Sequence, residues 1–269
     1  MIKIAGSLVN SNTIINNYNQ NSIQKQIVSI LASSSKVYNY DSQNQLDFEL
    51  KLRESIINAA KALYHSNFSF KVFRKSKCNE DFWNRTREGG FALKYGVKPS
   101  EAIKDIFIHS SSYGTECSTA MVIVYYKALV DIFPEALFNK LFSQIYLMNW
   151  QHLDSELGIM DYMNVADYLP GDCRYFKNPD VDPLNPEWQG ENVIDLGNGM
   201  YYGHGIGIAD AEKIIEKLNK KRISGSTVSA YLMNFAKRPN FKNLSYRYYS
   251  FSPRLQKTDI PIESIKMQL

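Results

Sequence analysis

The chain has 269 residues, 44% of them hydrophobic, enough to build a substantial core in one main domain. Its 31 basic and 27 acidic residues leave a net charge of +4 with no dense Lys/Arg block, which argues against nucleic acid and anionic membranes as partners. No apolar run reaches bilayer-spanning length and Met1-Ile2-Lys3-Ile4 lacks the regions of a signal peptide, so synthesis in the cytoplasm without a signal peptide is expected.

Residues 9–22 are Asn-rich and low in charge, which predicts a surface loop. Phe48, Leu52, Ile56, Ile57 and Ala60 recur at helical spacing and predict a helix over 45–62, capped by Asp41 or Ser42. Residues 68–74 alternate as a strand does, residues 83–94 mix short apolar runs with a Gly-Gly break, and Pro99-Ser100 open a short helix to Ile108. From Glu116-Cys117 to Phe133 the chain is apolar nearly all round, the mark of a helix buried at the centre of a domain, and Pro134 starts the next helix, to about Tyr146. Strands are predicted over 174–177 and 192–196. A Gly-Asn-Gly turn at 197–199 then leads into a strand over 200–208. An amphipathic helix opens at Ala209 to Glu212, and a second helix is predicted over 227–235. The catalytic domain is expected to span residues 1–240, with 241–269 as a tail lacking clear periodicity.

Cys78, Cys117 and Cys173 form an odd, widely spaced set that suits no disulfide framework, and no metal-binding spacing occurs, so no metal or other cofactor is implied. Cys117 stands out because a thiol in the first turn of a helix faces unpaired N–H groups and the positive end of the helix dipole, both of which favour thiolate. The competing reading makes Cys117 a small buried core residue. A nucleophilic thiol needs a proton partner, for which Glu191 and His204 are the candidates downstream. A helix carrying the cysteine, followed by strands carrying the base, is the chain order of papain-like cysteine hydrolases. The fold class expected is therefore α+β, with a central buried helix packed on an antiparallel sheet.

The stretches Phe48 to Arg53, Glu116-Cys117-Ser118-Thr119-Ala120, Val124-Tyr125-Tyr126, Gly171-Asp172-Cys173, Tyr175 to Pro179 and Trp188 to Ile194 together resemble the spore transglutaminases of Bacillus and its relatives. The resemblance covers roughly residues 1–236. It implies a calcium-independent protein-glutamine gamma-glutamyltransferase on a papain-like (NlpC-type) core that cross-links spore coat proteins, which would donate both glutamine and lysine. It places the nucleophile on Cys117, the main partner on Glu191, an alternative carboxylate on Glu116 and the family's histidine on His204. Gln189 departs from the family pattern, where a basic residue is usual, as does the extra C-terminal tail.

In such a reaction Cys117 attacks the glutamine amide, N–H groups at the helix start hold the oxyanion, and a buried Glu191 moves the protons. Trp188, Trp150, Tyr201, Tyr202 and Phe176 are the expected aromatic walls of a substrate tunnel that keeps water from the thioester. A monomer able to cross-link itself is expected. The rivals are a papain-like amidase or peptidase with His204 as base, and a coat protein whose role is structural.

Overall fold

The computed structural model describes residues 1–251. Strand β1 (Ile2–Ile4) turns back into β2 (Ser7–Leu8), and helices α1 (Ser11–Asn16) and α2 (Ile23–Ser33) lead to β3 (Tyr38–Tyr40), which lies parallel to β1. The Asn-rich segment read as a loop thus holds a helix. The Asn10 side chain accepts hydrogen bonds from the Asn12 and Thr13 amides, and Ile14 is buried, so the same residue type that favours loops serves here as a cap.

Helix α3 (Gln43–Tyr64) follows, capped by Ser42, whose hydroxyl accepts from the Gln45 amide. It buries the predicted stripe of Phe48, Leu52, Ile56, Ile57 and Ala60. The strand expected over 68–74 shrinks to β4 (Ser69–Phe70), because a 3₁₀ turn at Phe73–Lys75 ends it. Strands β5 (Trp83–Arg85) and β6 (Phe91–Leu93) pair across the Gly-Gly break, and Pro99 occupies the first turn of α4 (Pro99–Ile108). Then β7 (Gly114–Thr115) pairs parallel with β4 and delivers the chain into α5 (Cys117–Ile132). Helix α6 (Glu135–Leu141) is shorter than predicted, since Tyr146–Leu147 forms β8 on the edge of β6.

The C-terminal half builds one antiparallel sheet. Its strands are β9 (Met160–Met163), β10 (Cys173–Lys177), β11 (Gly190–Gly197), β12 (Met200–Gly203) and β13 (Gly207–Asp210), followed by α7 (Ala211–Asn219), β14 (Tyr231–Leu232) and β15 (Phe235–Arg238). The spatial order is β13-β12-β11-β10-β15-β9, with β14 beside β10. Two expectations are corrected. The strand predicted over 200–208 breaks at His204 to Ile206, and the helix predicted over 227–235 is replaced by β14 and β15, where pairing with β10 and β9 outweighs local periodicity. The tail assignment is corrected for its first eleven residues: Phe241–Phe251 is helix α8, which packs on α3, buries Phe241 and Leu244, and stacks Tyr248 on Phe133. The remainder of the proposed tail lies outside the described residues.

Helix α5 runs through the middle of this α+β arrangement, between α3 and β11, with every residue from Cys117 to Tyr126 buried. Strand alternation divides the sheet's side chains into two cores. Ile194, Leu196 and Tyr202 join the α5 side, whereas Val193, Tyr201 and Phe176 pack on the other face with Ile214 and Leu218 of α7. Beneath the sheet, buried Asp172 accepts hydrogen bonds from Arg53 of α3 and from Arg238 of β15. Among the described residues no helix is long and apolar enough to cross a membrane.

Candidate active site

Cys117 lies at the floor of a cavity of about 1020 Å³, with 9% of its surface exposed. The preceding β4–β7 ladder fixes where α5 begins, so Phe70 of β4 also reaches the cavity wall. Glu116 is the N-cap of α5. One of its carboxylate oxygens accepts from the Ser118 amide at 2.6 Å and the other from the Thr119 amide at 2.7 Å. This overturns the expected electrostatics of the helix start. The donors that were to favour a thiolate are taken by a carboxylate, and burial, with the charges of Glu191 and then Glu116, pushes the Cys117 thiol well above its ordinary value. Two groups oppose that rise, the backbone N–H and the side-chain amide of Asn192, whose Nδ2 donates to Sγ at 3.6 Å.

Asn192 lies in the Trp188–Ile194 stretch without a role assigned from sequence, yet its side chain touches the sulfur. Its position in β11 explains why: alternation sends Gly190, Asn192 and Ile194 toward the α5 side and Glu191 and Val193 to the other. On the α5 side Gly190 passes directly over Tyr175, and a Cβ there would stand 2.2 Å from the tyrosine oxygen. Strand alternation applied to the motif around Glu191 was the signal available.

Glu191 is buried at the end of β11 that β12 leaves uncovered after the Val193–Gly203 pair. Its Oε1 accepts from the Gly205 amide at 3.0 Å. Burial raises its pKa to about 8; the Gly205 and His204 N–H groups counter this, and the charge of Glu116 adds to it. The Gly-His-Gly sequence now has a steric reason. A Cβ on Gly203 would sit 2.8 Å from Cγ of Glu191, and one on Gly205 would meet Oε2 and the Phe70 ring at 3.3 Å.

The imidazole of His204 packs between Phe68 and Phe70, its Nδ1 is 3.0 Å from the Tyr202 hydroxyl, and its Nε2 is buried. Burial lowers its pKa to about 4, against the pull of the Ser69 backbone, so the ring is neutral near pH 7. Its backbone, not its ring, serves Glu191.

Of the five expected aromatic walls, Trp150 lines the cavity, with the Lys237 ammonium 5.1 Å from its ring centroid. Trp188 stands behind Phe70, ring centroids 6.0 Å apart. Phe176, Tyr201 and Tyr202 are corrected: they are core residues of the sheet and do not reach the cavity. Phe70, Phe73, Tyr175 and Phe235 take their place.

A buried thiol on the floor of an aromatic cavity, beside a carboxyl group that titrates near neutrality, suits acyl transfer. Residues 1–249 match the family model for protein-glutamine gamma-glutamyltransferase. The chain belongs to that family. It is 43% identical over 263 residues to the protein-glutamine gamma-glutamyltransferase of Bacillus mycoides (strain KBAB4) and 42% identical to that of Bacillus cereus (strain B4264); each match covers 97% of this chain and 94% of the relative. Among solved structures it resembles the transglutaminase from Geobacillus stearothermophilus without its C-terminal extension, with a TM-score of 0.74 and 49% identity. That match covers 77% of this chain and 98% of the other. Recognition as a transglutaminase thus stands, and the site can be read as one.

Proposed function

We propose that this transglutaminase joins glutamine to lysine side chains of spore coat proteins through a thioester on Cys117, without calcium, on a papain-like core. The observation that carries the reading is the pairing of a buried thiol at the start of α5 with a buried Glu191 close enough for its charge to raise that thiol. With a pKa of about 8, Glu191 is about one-tenth ionised at pH 7, so both of its forms are at hand. Ionised Glu191 takes the thiol proton as sulfur bonds to the amide carbon of glutamine, and returns it to the departing nitrogen, which leaves as ammonia. The carboxylate then accepts a proton from the lysine amine as that nitrogen displaces sulfur and forms the isopeptide bond, and passes it to the departing sulfur, which restores the thiol.

Cys117 lines the cavity and Glu191 stands at the open end of β11, which suits glutamine and lysine entering a tunnel from different sides. Phe70, Phe73, Trp150, Tyr175 and Phe235 around Cys117 suit the exclusion of water from the thioester. Burial leaves His204, with its pKa lowered to about 4, a weak base near pH 7, and its ring packs on Phe68 and Phe70 instead of lining the cavity at Cys117, which suits a structural role better than that of the base required by the amidase reading.

The test is incorporation of a labelled primary amine into a glutamine-bearing protein in the presence of chelator. The wild type is expected to label it, with Cys117→Ala and Glu191→Gln reduced to background. Ammonia release without amine incorporation would transfer the site to hydrolysis, and dependence on added calcium would remove that part of the proposal. For the coat assignment, spores carrying Cys117→Ala should yield less high-mass cross-linked coat protein than wild-type spores.

A further inference from the structure

Acyl transfer at Cys117 creates a negatively charged oxygen on the amide carbon, and the donors meant to stabilise it have to be found. The first turn of α5 offers few. Glu116 takes the Ser118 and Thr119 amides with its carboxylate and the Ala120 amide with its carbonyl, which leaves the Cys117 N–H as the first-turn donor that Glu116 does not occupy. A single N–H is a poor oxyanion site, since such sites work by converging preorganised donors.

The second donor is on β11. Asn149, Gln151, Gln189 and Asn192 all bring amide groups to the cavity lining, and it is Asn192 whose side-chain nitrogen contacts Sγ. Asn192 is only 9% exposed, and its backbone is held in register opposite Tyr175 of β10. Its carboxamide therefore needs little reorganisation when charge develops. In the tetrahedral adduct the carbonyl carbon is bonded to Sγ and the oxygen lies one bond further out, so a donor already at the sulfur can turn to that oxygen as the C–S bond forms.

Resting on the thioester reading above, we infer that the Asn192 side-chain amide and the Cys117 N–H together form the oxyanion hole of this enzyme. Sulfur bonds to the amide carbon, the carbonyl π pair moves onto oxygen between these two donors, and the pair re-forms the carbonyl as ammonia leaves with the thiol proton. Asn192 is then a catalytic residue, and Glu116 a positioning residue that fixes the helix start beside it.

The experiment compares two reactions of the same sulfur in wild type, Asn192→Ala and Asn192→Asp. The first is single-turnover acylation by a glutamine peptide, followed as ammonia release. The second is alkylation by iodoacetamide, a displacement that places no charge on a carbonyl oxygen. Loss of Asn192 also alters the thiol itself, and alkylation at the same pH corrects for that. The ratio of acylation to alkylation is expected to fall about 10²-fold in both variants, within the range set by removing one oxyanion donor. The peptide KM should stay close to wild type. A fall of less than tenfold in the ratio, through unchanged acylation or an equal loss of alkylation, overturns the inference. Should Asn192→Ala fail to fold, the near-isosteric Asn192→Asp decides. Failure of the wild type to release ammonia from the glutamine peptide would instead strike the thioester reading, so the two failures are distinct.

Discussion

Gly203→Ala tests whether the backbone of the Gly-His-Gly turn sets the position of Glu191. The added methyl would lie 2.8 Å from Cγ and 2.9 Å from Oε1 of Glu191. Cγ is not the free end of a mobile chain, because Glu191 is 2% exposed and tethered to the Gly205 amide. Either the carboxyl group or the turn must give way. Overpacking of this kind costs about 1–3 kcal/mol of stability. Misplacing a reacting group by about 1 Å can cost about 10²-fold in rate, equivalent to about 3 kcal/mol of activation free energy. At Gly205 the nearest contacts, Oε2 of Glu191 and the Phe70 ring, are at 3.3 Å, which shifts of a few tenths of an ångström in both can relieve, so Gly205→Ala should lose less. Amine incorporation under saturating glutamine donor, with thermal unfolding measured alongside, gives both quantities. Gly203→Ala should fall about 10²-fold in kcat and remain folded at assay temperature. A wild-type kcat in Gly203→Ala, or a larger loss in Gly205→Ala, would refute the steric argument.

Stability should also depend on pH in a defined window. Glu191 titrates near 8 when folded, above its ordinary 4.5, so the folded state holds the extra proton and stability falls as pH rises toward 8. His204, with a folded pKa of about 4, acts in the opposite sense below its ordinary 6.5, and Asp195, raised to about 6 by burial, acts with Glu191 only below that pH. Between about pH 6.5 and 8 the Glu191 slope should therefore dominate, and denaturant titrations of Glu191→Gln should be flatter there. Glu116→Gln removes a charge that raises the thiol, so its iodoacetamide alkylation profile should shift to lower pH, while the weaker cap costs about 1 kcal/mol in denaturant unfolding. Asp172→Asn leaves Arg238 without its buried counter-charge and Arg53 with Glu49 alone, and should cost about 3–5 kcal/mol by chemical denaturation.

The parts of this molecule most legible in the sequence are those decided by apolar pattern. Helix α5 has no polar face, and that alone predicted its central place and the position of Cys117 at its start. What the pattern could not show was competition for the helix start: a carboxylate immediately before the cysteine reads equally well as an acid/base group and as a cap, and only the contacts of Ser118 and Thr119 decide how it is held. Glu191 was found through its motif and Asn192 beside it was missed, because attention to a single ionisable residue passes over the neighbour that alternation turns to the opposite face. Three of the five expected aromatic walls, Phe176, Tyr201 and Tyr202, are core residues for a related reason. Tyr175 and Phe176 are adjacent and chemically alike, and strand alternation in β10 determines which of them lines the cavity. In α8, Tyr246, Tyr248 and Tyr249 blur the contrast between apolar and polar positions, which hid an amphipathic helix inside an apparent tail.

The Asp172 hub has a consequence for how the chain comes to be folded at all. Arg53, Asp172 and Arg238 arrive from segments 119 and 66 residues apart in sequence; Arg53 has Glu49 on its own helix, whereas Asp172 and Arg238 depend on the docking of distant segments for their charge partners. A nascent chain that has emerged only as far as β13 carries the Arg53–Asp172 pair with its second cation still missing. The sheet and the helical half are thus coupled late in synthesis, when β15, the last strand among the described residues, brings Arg238 to Asp172. Proteolytic fragments ending before Arg238 should populate loosened, protease-sensitive states rather than a smaller native domain.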